Sequence, residues 1–117
     1  MPFVTLTTNA SLSAEHQEAL AKSFVDSIVT HAGKPEGSVM VGFNAGAPML
    51  FRGSTATPTA FIEIKYIGDF TPEAKKKIVA DMCAALSDRA KVPGARVYIK
   101  FTGTPGDQWG CDGQVFG

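Results

Sequence analysis

The chain carries one pattern twice, and that repetition limits the folds open to it more than any single residue does. Residues 2–8, PFVTLTT, alternate with Val4 and Leu6 on one side and Phe3, Thr5 and Thr7 on the other, the two-residue period of a strand. Ser13 then stands as a helix cap with Glu15 in the first turn, and Leu20, Phe24 and Ile28, joined by Ala21, Val25 and Ala32, form an apolar stripe at helical spacing. Gly33 ahead of Pro35 stops that helix, and SVMVGFN supplies a second strand. From Ala60 the order returns. AFIEIKY is a strand, Thr71 and Pro72 are cap and first helical residue, Ile78, Val79, Met82, Ala85 and Leu86 make the buried stripe, and RVYIKFT is the closing strand. Phe3 to Val39 is an interval of 36 positions and Ala60 to Val97 one of 37, so the chain reads as two βαβ units of near-equal length. Between them lies a loop rich in Gly, Pro and Ser, AGAPMLFRGSTATPT, in which Met49 to Phe51 is expected to add a brief strand.

A strand, a crossover helix and a parallel strand wind right-handed, and two such units side by side give a four-stranded mixed sheet with both helices on one face, an α/β (α+β) arrangement. The other face is left bare. Phe3, Tyr98 and Tyr66 are the aromatic groups expected there or at strand ends, and a sheet with apolar residues on both sides must bury the second side. Assembly into an oligomer, with bare faces enclosing a common interior and edge strands pairing between subunits, follows as the expectation. The 117 residues, 44% hydrophobic, suit one domain over 1–117 and leave little surplus for a second core.

Charge narrows the partners. Eleven basic residues balance eleven acidic ones and neither sign forms a block, so no nucleic-acid stripe or polybasic membrane patch is present, and a small molecule or a protein is favoured. No apolar run approaches the roughly 20 residues that cross a bilayer, and the start lacks the basic and apolar segments of a secretory signal. The expected location is cytoplasmic, or outside the cell by a route that needs no signal peptide. Cys83 and Cys111 lie far apart without metal-binding or redox spacing and read as a core thiol and a loop thiol, so no metal is expected. His16 and His31 both fall on the first helix and read as solvated or helix-end residues.

The opening MPF raises a chemical question. If Met1 is trimmed, as initiator methionines before small residues are, Pro2 becomes a terminal secondary amine that takes and gives protons without help from a side chain. An α-amino group titrates near about 7.7 to 8.0. A general base works best with a pKa near the operating pH, so this amine needs lowering by burial and a neighbouring cation.

MPF at the start, GKP at 33–35, PMLFRGS at 48–54, YIG at 66–68, RVYI at 96–99 and the closing VFG fall in the order and spacing of the macrophage migration inhibitory factor family, which includes D-dopachrome tautomerase. The chain resembles that family over essentially its whole length. The resemblance implies a homotrimer of βαβ-repeat subunits, cofactor-free keto–enol tautomerase activity on phenylpyruvate- or D-dopachrome-like substrates, active sites between adjacent subunits, and Pro2 as the acid/base. It makes Lys34 the lysine that holds the substrate carboxylate and Ile67 the residue whose backbone N–H assists it. An anionic α-keto acid or its enol is oriented well by a cation plus an amide donor. Without the family, Lys34 is a residue past a helix end and Ile67 an apolar strand end.

Tyr98 matches the tyrosine lent to the pocket by a neighbouring subunit, and it reads equally as a sheet tyrosine at a subunit contact. Lys100 stands where the mammalian proteins carry a substrate-contacting asparagine; it is either a second cation beside Pro2 or a surface lysine on an edge strand. Cys111 takes the place of a pocket-rim tryptophan, with Trp109 two residues earlier, and Arg52 replaces one of two paired glycines. Thr59 and Ile62 stand at the cysteines of the mammalian CxxC, so that family member's thiol chemistry is not expected. The competing reading is a cytokine-like protein that binds a cell-surface receptor and keeps the pocket as a vestige.

Overall fold

The computed structural model describes every residue, Met1–Gly117. Strand β1 spans Phe3–Thr8 and alternates in burial, with Val4, Leu6 and Thr8 fully enclosed and Phe3, Thr5 and Thr7 half-exposed. Helix α1, Ala14–Ala32, opens where the Ser13 hydroxyl accepts from the His16 N–H at 3.1 Å and closes at Gly33, whose φ of 68° lets its N–H turn back to the Val29 carbonyl. A 3₁₀ turn leads to β2, Met40–Asn44. Strand β3, Ala60–Ile67, precedes α2, Pro72–Ala90, which is capped by Thr71 and ends at Lys91 in the left-handed region with φ 57°. A second 3₁₀ turn feeds β4, Val97–Thr104.

The sheet order is β2-β1-β3-β4, with β1–β2 and β3–β4 parallel and β1–β3 antiparallel. This is the expected four-stranded mixed sheet made from two βαβ units. The structure sharpens the repeat to a constant spacing of 58 positions, which relates Ser13 to Thr71, Gly33 to Lys91 and Pro35 to Pro93. The pairing of Thr5 with Glu63 maps onto itself under that spacing, and Val4–Ile64 maps onto Leu6–Ile62. A local twofold axis therefore passes between β1 and β3.

Both helices lie on one face because only there do strand and helix stripes meet. Leu20, Phe24 and Ile28 from α1 and Ala74, Ile78, Met82 and Leu86 from α2 pack on Val4, Leu6, Ile62, Ile64 and Tyr66. Each large side chain enclosed this way contributes about 1.5–3 kcal/mol, so Phe24→Ala, which also leaves a cavity, costs about 3–5 kcal/mol. The helices are further tied by Asp81, whose Oδ2 accepts from the Ser27 hydroxyl at 2.8 Å and lies 3.0 Å from His31 Nε2. His31 is thus a bridging residue and not merely a solvated one.

Four expectations need correction. Tyr66 is 1% exposed and faces the helices, because it shares parity with Ile62 and Ile64. Met49–Phe51 forms no strand, only a single bridge between Phe51 and Ser54. β4 does not close the chain: a small hairpin follows, β5 at Gly110–Cys111 and β6 at Gln114–Val115, turned by Asp112 and Gly113 with φ 52° and 79°. The bare face is mixed and not apolar throughout, with Phe3, Phe61 and Tyr98 among Thr5, Thr7, Glu63, Lys65, Lys100, Thr102 and Thr104.

Candidate active site

One end of the sheet gathers the start of β1, the end of β3 and the turn after α1. Pro2 is buried there, and its carbonyl accepts from the Met40 N–H at 2.9 Å, which fixes it to the first residue of β2. The last ladder pair of β1 is Phe3 with Lys65, so Pro2 comes level with Tyr66, one residue before Ile67. Ile67 is half-buried, pairs with Thr104 of β4, and is followed by Gly68, whose φ is 82° and whose N–H donates to the Thr104 carbonyl at 2.9 Å.

Lys34 follows the left-handed Gly33, which swings the chain off the axis of α1 toward this sheet end. Its effect on the chain's start is direct. The amino group, carried here by Met1, is held below its ordinary value, first by burial and then by the Lys34 ammonium. With Met1 attached the nitrogen of Pro2 is an amide, so proton transfer at Pro2 requires its removal. Lys34 Nζ lies 5.8 Å from the centre of the Phe70 ring.

Phe70 stacks on Tyr66 with ring centres 3.8 Å apart and planes 8° from parallel. Burial and the neighbouring Asp69 carboxylate push the Tyr66 phenol up to about 12. Asp69 is itself held below the usual carboxylate range by its hydrogen bond to Lys75, 3.0 Å away, and by the Phe70 N–H. Nothing in the residue pattern signals that Phe70 approaches Lys34, because the two are 36 positions apart on different loops.

Tyr98 and Lys100 are not brought to this end by their own chain. Tyr98 is level with Phe61, which faces Thr7, so it stands four strand residues from Lys65, about 13 Å along the sheet. Lys100 is level with Glu63 and Thr5 at mid-sheet, on the bare face. The reading of Lys100 as a second cation beside Pro2 therefore fails within one chain. Either residue reaches a Pro2 only from another subunit.

Two depressions flank these elements. A groove of about 360 Å³ on the bare face is lined by Phe3, Lys65, Thr102, Thr104, Gln108 and Trp109, and the Trp109 indole N–H donates to the Thr104 hydroxyl at 3.0 Å. A larger one of about 490 Å³ runs between α1 and α2 past Ser27, His31 and Asp81, on the layer away from the sheet. Only the first reaches this end of the sheet, through Phe3, the residue after Pro2. At the opposite end, Arg96 is 9% exposed and donates to the carbonyls of Pro58, Phe51 and Thr57 at 3.0–3.3 Å. Arg52, in the left-handed region at φ 49°, lays its guanidinium 5.0 Å from the Phe51 ring centre. That φ is why a glycine suits the position in the proteins the chain resembles. Cys111 is exposed in the hairpin, and burial pushes the Cys83 thiol up.

The sequence pattern of macrophage migration inhibitory factor matches residues 1–117. The macrophage migration inhibitory factor homologue of Brugia malayi is 31% identical, over 100% of this chain and 100% of its own. That of Trichuris trichiura is 32% identical over 99% and 100%. Among solved structures, Leishmania major MIF2 superposes with a TM-score of 0.91 at 28% identity, covering 99% of this chain and 97% of that one.

Proposed function

This chain belongs to the macrophage migration inhibitory factor family, and we propose that it is a cofactor-free keto–enol tautomerase in which Pro2, freed by removal of Met1, is the acid/base. The observation that carries the reading is the setting of the chain's start: Pro2 is buried and held to Met40, and the amino group beside it, on Met1, is lowered by burial and by Lys34. In the same surroundings a terminal Pro2 amine would be lowered in the same direction, neutral over more of the pH range and so better suited to act as a base. It takes a proton from the carbon beside the ketone, the C–H pair becomes the C=C of an enolate, and the protonated amine returns the proton to oxygen. An enol results, with no atom gained or lost.

Lys34 pairs with the substrate carboxylate and the Ile67 N–H donates to it, which fixes the carbon against the base. Tyr98 and Lys100 enter from a neighbour in a homotrimer. Exposed Tyr98 (59%), Met40 (65%) and Leu50 (71%) support such an assembly. Sedimentation at three times the 12.3 kDa chain mass is the expected result.

The test is intact-mass measurement followed by ultraviolet assays of phenylpyruvate and a dopachrome ester with wild type and Pro2→Gly. Loss of Met1, with turnover that drops about 10²-fold or more in the variant, is expected of a general base. A processed wild-type protein without turnover refutes the reading and leaves a binding protein in its place.

A further inference from the structure

The chain has four ion pairs, His31–Asp81, Lys65–Glu63, Lys75–Asp69 and Arg89–Asp88, and Lys34 belongs to none of them. Its neighbour is an aromatic face. The Phe70 ring is 4% exposed, lies 5.8 Å from Lys34 Nζ, and is braced from behind by Tyr66 in parallel contact and from the edge by Phe101 at 6.3 Å. Asp69, the carboxylate next to Phe70 in sequence, is occupied by Lys75. We infer that Phe70 is a positioning residue for substrate anions: it seats the Lys34 ammonium through its ring face, which holds the cation in place without neutralising it. The inference rests on the tautomerase reading for its substrate.

The physical reason concerns competition. A carboxylate partner would hold Lys34 as firmly, but an incoming α-keto acid would then have to displace it and leave a charge stranded. A ring quadrupole attracts the ammonium from one side only and leaves the other N–H donors free for a substrate carboxylate. The seat is stiff because the Phe70 ring packs on Tyr66 and Phe101 and its backbone leads directly into the capped start of α2 at Thr71. The Tyr66 hydroxyl is anchored in turn on Asp69 at 3.4 Å. Lys34 is therefore biased toward the ring before substrate arrives and loses less rotamer freedom on binding than a fully solvated lysine would.

Replacing Phe70 with pentafluorophenylalanine keeps the ring's shape and stack and reverses its quadrupole, whereas Phe70→Leu removes the face and Phe70→Trp restores it. A cation–π contact of ordinary strength corresponds to about a two- to fivefold change in affinity. The expected result is a KM for phenylpyruvate about two- to fivefold higher in the fluorinated protein and in Phe70→Leu. The kcat, and the KM for an uncharged dopachrome ester, stay unchanged, and Phe70→Trp recovers the wild-type value. A merely structural role would move both substrates together. Independently of turnover, the NMR resonances of the Lys34 ε-methylene in the unliganded wild-type protein should lie upfield from the ring current and move back in Phe70→Leu. An unshifted ε-methylene, or equal KM changes for acid and ester, overturns the seat. Absence of wild-type turnover with either substrate overturns the parent reading instead.

Discussion

Replacing Gly103 with alanine drives a Cβ into the carbonyl oxygen of Gly68 and places it 3.0 Å from Tyr66 Cε2. The obstacle is backbone on one side and a fully buried ring on the other, so neither yields cheaply. A comparable change elsewhere in the sheet gives the control: a Cβ at Gly42 meets only the Phe3 ring, at 3.3 Å and 3.4 Å, and Phe3 is half-exposed and free to turn. Losing a glycine from a strand stabilises by about 0.4–1 kcal/mol through the unfolded chain. Overpacking costs about 1–3 kcal/mol. Gly42→Ala should therefore be neutral to slightly stabilising, and Gly103→Ala destabilising by up to about 2.6 kcal/mol, in the upper part of that range because the obstacle is backbone. With a urea dependence of about 1–3 kcal/mol/M, the Gly103 variant's midpoint falls by roughly 1 M at matched protein concentration. Gly68 follows Ile67 directly, so any shift that relieves the overlap also moves the Ile67 amide, and under the proposed role of that amide a displacement near 1 Å should cost about 10²-fold in turnover. Equal urea midpoints for the two alanine variants would refute the reasoning about packing at this end.

Three further outcomes are expected. Arg96→Ala strands the three carbonyls that its guanidinium serves and should cost about 3 kcal/mol, read as a lower Tm and as faster proteolysis within residues 45–59. Asp81→Ala leaves the buried Ser27 hydroxyl without its acceptor and should cost about 1–2 kcal/mol in denaturation, while Asp81→Asn, which keeps an acceptor, should cost less. Tyr66 binds its proton more tightly folded than unfolded, so its share of stability is full below about pH 10 and is lost as pH rises toward about 12. Absorbance at the phenolate band in wild type and Tyr66→Phe should locate this late ionisation.

What the sequence made legible was whatever repeats at short range. Strand parity, the caps at Ser13 and Thr71 and the stop at Gly33 each depend on residues within one turn or one strand, and each appears where the pattern put it. Tyr66 was readable from its parity with Ile62 and Ile64, and the aromatic ring obscured a plain signal. Asp112-Gly113 is a hairpin turn in its own right, but the flanking strands are two residues each and carry no alternation to support it. Met49–Phe51 had strand composition without a partner to pair with, and Arg96 takes the carbonyls of that loop instead. The site divides in the same way. Pro2 comes level with the end of β3, next to Ile67, because topology joins the start of β1 to the end of β3, whereas Lys34 on Phe70 and His31 on Asp81 arise from side chains distant in sequence.

The axis between β1 and β3 gives the backbone two interchangeable ends. At the second, Ala60 stands where Pro2 stands at the first, and Val92, wholly enclosed, where Lys34 stands. A duplicated scaffold can copy a shape but cannot copy a terminus, since a polypeptide begins only once. Whatever depends on a liberated imino group is confined to the leading half, and the trailing half is free to become solid interior. A chain recut to start with proline at position 60 would set a terminal imino group at that second end, where Val92 takes the place of Lys34 and the nearby Arg96 guanidinium is already engaged by the carbonyls of Pro58, Phe51 and Thr57.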